Sequence, residues 1–284
     1  MRRALVTGAG GFVGARLVRR LAVDGWQVTA LTRQLVDLTD PAAGAAAVRA
    51  AAPDVVFSLA AARARATPAE RAATTAVNTS PWLVDALPDS CRAVVRLGSS
   101  TEYAASDGPM TEREALRPRG FFGATKAAGS LLLLGAAAER GVRAVVLRAF
   151  QVYGPGDHPT RLVPTVLRAA RTGDELALTA PGSRRDWVWV DDVVDACVRA
   201  ATDDSLPPGQ VLNIGTGRQT ANEELVAVAE QVSGRRIRVR VGAHPGRSWD
   251  TGRWVCDPSL ARRLLGWEPA VGLREGLRRT WEAS

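Results

Sequence analysis

The chain has 284 residues, with 37 basic against 29 acidic side chains, three cysteines and two histidines. That length buries a substantial core without disulfides, and the scattered, odd cysteines exclude a disulfide framework and a zinc site, leaving no metal centre expected. The formal charge of +8 comes from dispersed arginines accompanied by acidic residues, which argues against a nucleic-acid partner.

Two arginines open the chain, but glycines from Gly8 onward break the apolar run too early for a signal peptide, and no later stretch approaches ~20 apolar residues. The expectation is a cytoplasmic protein with no membrane partner. Short apolar runs at 4–7, 27–31, 54–60, 93–98 and 143–150 alternate with helical segments, the pattern of a parallel sheet wrapped by crossover helices. Thr67, Pro68 and Glu70 mark one helix start, with threonine as N-cap, proline in the first turn and glutamate completing a capping box. Thr220 with Glu223 predicts a second such start. In 234–242, Ile237, Val239 and Val241 alternate with arginines, which reads as a half-buried strand. After Tyr153 the chain turns loop-rich, while 184–200 and 211–217 look able to return to the sheet. The fold class expected is α/β, a Rossmann-type doubly wound parallel sheet. Residues 1–155 form a nucleotide-binding domain to which 186–216 return, and 156–185 with 217–284 form a smaller, discontinuous substrate lobe.

Gly8, Gly11 and Gly14 sit directly after the first strand. Glycines there permit a tight turn, backbone approach to a pyrophosphate and close helix packing, and the amides of the helix start, including Phe12 and Val13, hold the phosphates. At the end of the second strand an NAD site usually presents a carboxylate to the adenosine ribose. This chain has Thr32 and Arg33. Arginine binds a 2′-phosphate that a carboxylate would repel, so the cofactor expected is NADPH/NADP, with NADH as the alternative.

Ten segments in order, at 7–14, 36–40, 58–61, 77–80, 97–103, 122–126, 147–156, 184–192, 212–217 and 256–267, resemble the extended short-chain dehydrogenase/reductases, which include nucleotide-sugar epimerases and dehydratases. The resemblance implies that Asp37 and Leu38 meet the adenine, that Leu59, Ala60 and Ala61 line the dinucleotide, and that Gln151 lies near the nicotinamide. It implies a catalytic Ser/Thr with Tyr-x-x-x-Lys, the tyrosine and lysine sharing one helix face. Ser100 matches the serine and Lys126, the chain's one lysine, matches the ribose-binding lysine. Arginine's planar fork would not fit that place.

The tyrosine position holds Phe122, which cannot move a proton. Tyr103 and Tyr153, the only phenols, match positions outside the catalytic pair. Three readings follow. In the first, a ketoreductase reduces an aromatic polyketide whose phenol neighbours the ketone and supplies the proton, a pattern that resembles the atypical angucyclinone ketoreductases. Ser100, Thr101, Phe122, Tyr153, Arg185 and Trp187 would then face the substrate, with Trp189 and Trp249 as further flat apolar walls. In the second, Arg185 and Arg247 grip the diphosphate of a nucleotide-sugar, although epimerases and dehydratases need a reversible acid/base more acutely. In the third, the chain is a non-catalytic NADP-binding sensor. The partner expected is a small-molecule substrate, and the protein is a monomer or a homodimer.

Overall fold

The computed structural model describes residues 1–63, 67–245 and 252–283. Arg247 and Trp249 lie outside them. The first half alternates strand and helix: β1 (Arg3–Thr7), α1 (Phe12–Val23), β2 (Gln27–Leu31), α2 (Pro41–Ala51), β3 (Val55–Ser58), α3 (Pro68–Thr79), β4 (Ala93–Ser99), α4 (Phe121–Glu139) and β5 (Arg143–Ala149). There follow β6 (Gln151–Tyr153), α5 (Leu162–Thr172), β7 (Leu176–Ala177), β8 (Arg184–Trp189), α6 (Val190–Thr202), β9 (Gln210–Ile214), β10 (Gln219–Ala221), α7 (Asn222–Ser233), β11 (Val239–Arg240), α8 (Ser259–Leu265) and α9 (Leu273–Glu282).

Among the described residues the main sheet has six strands in the order β2-β1-β3-β4-β5-β9, every neighbouring pair parallel. Both faces are covered, because successive strand residues point to opposite sides. Val6, Phe57, Val95 and Val145 enter one cluster with Leu17 and Leu21 of α1 and Val193 of α6. Their neighbours Leu5, Val56, Val94 and Ala144 enter another with Val48 of α2 and Leu133 of α4. The chain is thus the expected α/β Rossmann-like fold. Strand order reverses between β1 and β3, and the crevice beyond their carboxyl ends is where such sheets take ligands.

Residues 186–216 divide between two layers. β8 pairs with β6 and β10 in a separate three-stranded sheet, whereas α6 packs on α1 and β9 forms the sixth main strand.

Two local expectations fail. Thr220 does not cap: it pairs with Arg185 in β10, so the next helix starts one residue later with Ala221 as N-cap and no side-chain cap. In 234–242 only β11 is strand, paired to the two-residue β7, and Val239 and Val241 are exposed while Ile237 is buried. So short a ladder at an edge gives those valines no face to pack against. The helix α4 is long and apolar enough to span a bilayer by length and composition, yet Lys126, Ser130 and Leu133 are buried on it and it packs on α3, β4 and β5. It is a core helix of this sheet.

Candidate active site

The turn after β1 has a geometry that only glycine satisfies. Gly8 has φ +68°, and a Cβ there would meet Ala60 Cα at 2.7 Å. A Cβ on Gly14 would collide with the Gly8 carbonyl oxygen. Thr7 Oγ1 accepts hydrogen bonds from the amides of Leu59 and Ala60, at 3.1 and 3.2 Å, tying the ends of β1 and β3 together. Gly11 caps α1 with no side chain, so the first-turn amides of Phe12, Val13 and Gly14 face the crevice without a side-chain acceptor, a ready anion site. A turn that glycines let close onto the end of β3, under a helix N-terminus with no side-chain cap, fits the pyrophosphate of a dinucleotide.

Arg33 follows β2 and is exposed. Asp37 beyond it accepts from Thr39 N and Oγ1 at 2.9 and 2.8 Å, and those bonds, helped by Arg33, hold its carboxyl below the usual range. Leu38 is buried, Ala61 is exposed and Gln151 is half-buried at the start of β6.

Ser100 begins a short 3₁₀ turn over Ser100–Glu102 directly after β4. Glu102, fully buried, accepts from Ser99 N, Ser130 Oγ and Arg148 Nε at 2.9, 3.2 and 2.9 Å, so a buried ion pair anchors the turn that presents the serine. That turn packs against the first turn of α4, where Gly123 lies so close to the Thr101 carbonyl that no Cβ would fit. Phe122 therefore stands beside the Ser100–Thr101 segment, with the Arg63 guanidinium stacked 4.3 Å from its ring centroid.

Lys126, one turn along α4, is 3% exposed and donates to the Leu97 carbonyl at 2.5 Å. Burial, and then the adjacent Arg96, pull its ammonium down to about 7, with Glu102 opposing. Arg96, itself drawn down to about 10 by burial, donates to the Asn78 carbonyl. Asn78 exchanges hydrogen bonds with Ala62 N and O and donates to Thr125 Oγ1 at 2.8 Å, fastening the 59–62 loop to α4.

Both tyrosines are held in the core. Tyr103 is 1% exposed and donates to Asn213 Oδ1 at 2.7 Å, and burial pushes it up to about 12. Tyr153 is fully buried, its oxygen 3.4 Å from the Leu273 carbonyl and pressed beneath Gly276. Tyr153 and Trp187, expected to face substrate, are instead core: both are buried and their rings meet edge to face at 6.1 Å, with the Tyr153 ring against Gly276 of α9. Trp189 is buried in the same layer. Arg185 is half-buried and donates to the Arg184 carbonyl at 2.7 Å.

One contact of Ser100 gave no local sequence signal. Trp254 Nε1 donates to Ser100 Oγ at 2.9 Å, across most of the chain.

The model of the NAD dependent epimerase/dehydratase family matches residues 4–215. A UDP-glucose 4-epimerase of Mycolicibacterium smegmatis is 32% identical, over 99% of this chain and 97% of its own. The dTDP-6-deoxy-L-talose 4-dehydrogenase (NAD(P)(+)) of Kitasatospora kifunensis is 30% identical over 99% and 95%. Among solved structures, MoeE5 in complex with UDP-glucose and NAD superposes with a TM-score of 0.86 at 29% identity, covering 99% of this chain and 98% of that one. A family model matched over 4–215, and relatives aligned over 99% of this chain, have one explanation: the chain belongs to the NAD dependent epimerase/dehydratase family, within the short-chain dehydrogenase/reductase superfamily of oxidoreductases.

Proposed function

We propose that this chain is an NADPH-dependent ketoreductase acting on an aromatic polyketide ketone of the angucyclinone type, whose neighbouring phenol supplies the proton. One observation carries the reading: both tyrosines are buried and held in the core, which leaves Phe122 at the position where the resemblance puts the acid. A positioned acid is typically worth ~10²–10⁴ in rate, so a working reductase with this site needs another proton source. When bound, the nicotinamide supplies the hydride. The glycine turn and the first amides of α1 would hold the phosphates, Arg33 a 2′-phosphate, and Asp37 and Leu38 the adenine; the resemblance gives the ribose to Lys126, whose ammonium rests on the Leu97 carbonyl. Ser100 donates to the ketone oxygen. As hydride reaches the carbonyl carbon, the phenol proton passes to that oxygen, and the phenolate left behind is reprotonated by water.

The relatives favour a second reading, chemistry on a nucleotide-sugar, because those named above carry UDP- or dTDP-sugar activities or ligands, with Arg185 and Arg247 on the diphosphate. The comparisons support it more than they support a polyketide. Against it stands Phe122, since an epimerase or dehydratase must remove and return a hydride and depends on a reversible acid/base.

The purified chain is to be incubated with NADPH and, in parallel, a peri-hydroxytetralone or its methyl ether, and with NAD+ or NADP+ and a pool of nucleotide-sugars, with product mass recorded. The proposal expects a gain of two hydrogens on the hydroxytetralone and near-complete loss of turnover on the ether. Equal turnover of the ether sinks the phenol's role. A sugar isomer or loss of water supports the second reading, and no product in any arm supports a sensor.

A further inference from the structure

We infer that Trp254 is a positioning residue for carbonyl reduction: its indole N–H holds the oxygen of Ser100 and thereby directs the serine's own proton at the reacting carbonyl. This rests on the reading above that Ser100 faces that carbonyl, and it holds for a ketone of either substrate class.

An indole nitrogen donates and cannot accept. At 2.9 Å from Trp254 Nε1, Ser100 Oγ is therefore an acceptor, and its O–H is left to donate in another direction. Among the described residues that O–H meets no protein acceptor. A hydroxyl that already accepts a hydrogen bond is polarised into a better donor. Without the indole the same hydroxyl would be a free rotor, its proton spread over several directions.

The indole is held as a positioning group must be. Its ring packs against the cluster of Tyr103, Met110, Phe150 and Cys256. The backbone on its C-terminal side is pinned: Met110 N donates to the Val255 carbonyl and Asp257 N to the Met110 carbonyl, both at 2.8 Å, and Cys256 N donates to Asp186 at 3.2 Å. Trp254 N itself reaches Gln219 Oε1 at 3.4 Å. The second half of the chain thus delivers a donor to a serine presented by the first half, and one indole supplies both a flat wall and the orientation of the hydroxyl.

The test is a double-mutant cycle with NADPH and peri-hydroxytetralone. Trp254→Phe keeps an apolar ring and removes the donor. It should lower kcat about tenfold, the range of one well-placed hydrogen bond, with KM nearly unchanged. Ser100→Ala should lower kcat roughly hundredfold, and the double variant should be no slower than Ser100→Ala, since the indole acts only through the hydroxyl. A packing role alone would make the two losses multiply, which overturns the inference. The nitrogen-labelled indole resonance of Trp254, assigned by its disappearance in Trp254→Phe, gives a readout apart from activity. It should move in Ser100→Ala and keep its hydrogen-bonded position when NADP is added to the parent protein. A resonance indifferent to Ser100→Ala, or one released by the cofactor, overturns the inference. If Ser100→Ala turns over as fast as the parent, the assignment of Ser100 fails and takes this inference with it. If Ser100→Ala is slow and Trp254→Phe matches the parent, only the inference falls. If the parent itself does not reduce the tetralone, the proposed function is what suffers, and the resonance alone decides the bond.

Discussion

Lys126 shows what burial does to a single charged group. Its nitrogen sits under the sheet end against the Leu97 carbonyl, with the Arg96 guanidinium as a like-charged neighbour and Glu102 as the compensating anion. Burial and Arg96 together hold the folded pKa near 7 against an ordinary 10.5. The sign follows directly. Between those values the unfolded chain binds a proton that the native chain does not, so this site's contribution to stability rises with pH across that window. Its penalty is complete below about pH 7 and gone above the unfolded pKa. Lys126→Met removes the titration, so the variant should gain on the parent at about pH 6 and lose that advantage toward about pH 10. Urea unfolding at several pH values reads this, and parallel stability curves would contradict it. The residue was conspicuous in the sequence as the one lysine among arginines, but the side chain's inward direction depends on Leu97 and Arg96, which belong to β4.

The β1-turn-α1 unit is the element most completely legible in the chain. Gly8 and Gly14 were expected to be glycine for a tight turn and close packing, and the collisions that a Cβ would make at both give the reason. Gly14→Ala should cost roughly 1–3 kcal/mol, as overpacking in a closed site does, and weaken NADPH binding. Gly135→Ala, on the exposed face of α4 with open space around it, should stabilise by about 0.5–1 kcal/mol through helix propensity. Equal effects of the two substitutions in urea unfolding would sink this account. Helix starts were legible only where nothing else used the residue. Thr67 forms its capping box with Glu70, whereas Thr220, with the same local pattern, is drawn into a strand pair with Arg185.

At the scale of the whole molecule, Asp186 ties the later segments to the site. Its carboxylate is fully buried and accepts from Thr216 N and Oγ1, Gly217 N and Cys256 N, at 2.8, 2.6, 2.9 and 3.2 Å. Burial raises its pKa, and those four bonds oppose the rise. It thereby joins β8, the turn after β9 and the segment that carries Trp254. Asp186→Ala leaves four donors without their acceptor, the Cys256 amide among them buried, and should cost roughly 2–4 kcal/mol, with a fall in kcat because Trp254 loses its anchor. Chemical denaturation with single-turnover kinetics tests both, and a loss below about 0.5 kcal/mol would show the hub to be dispensable.

The alternation of apolar runs, the glycine spacing and the order of motifs are short-range patterns, and they carried the sheet, the nucleotide crevice and the family. They persist in the chain because each needs only neighbours a few residues away. The fates of the two tyrosines, the burial of Trp187 and the approach of Trp254 to Ser100 depend on packing between distant segments. Tyr103 meets Asn213 across 110 residues and Ser100 meets Trp254 across 154. No local periodicity encodes which side chain will arrive at such a contact, because that is settled by how two separately folded layers close on each other.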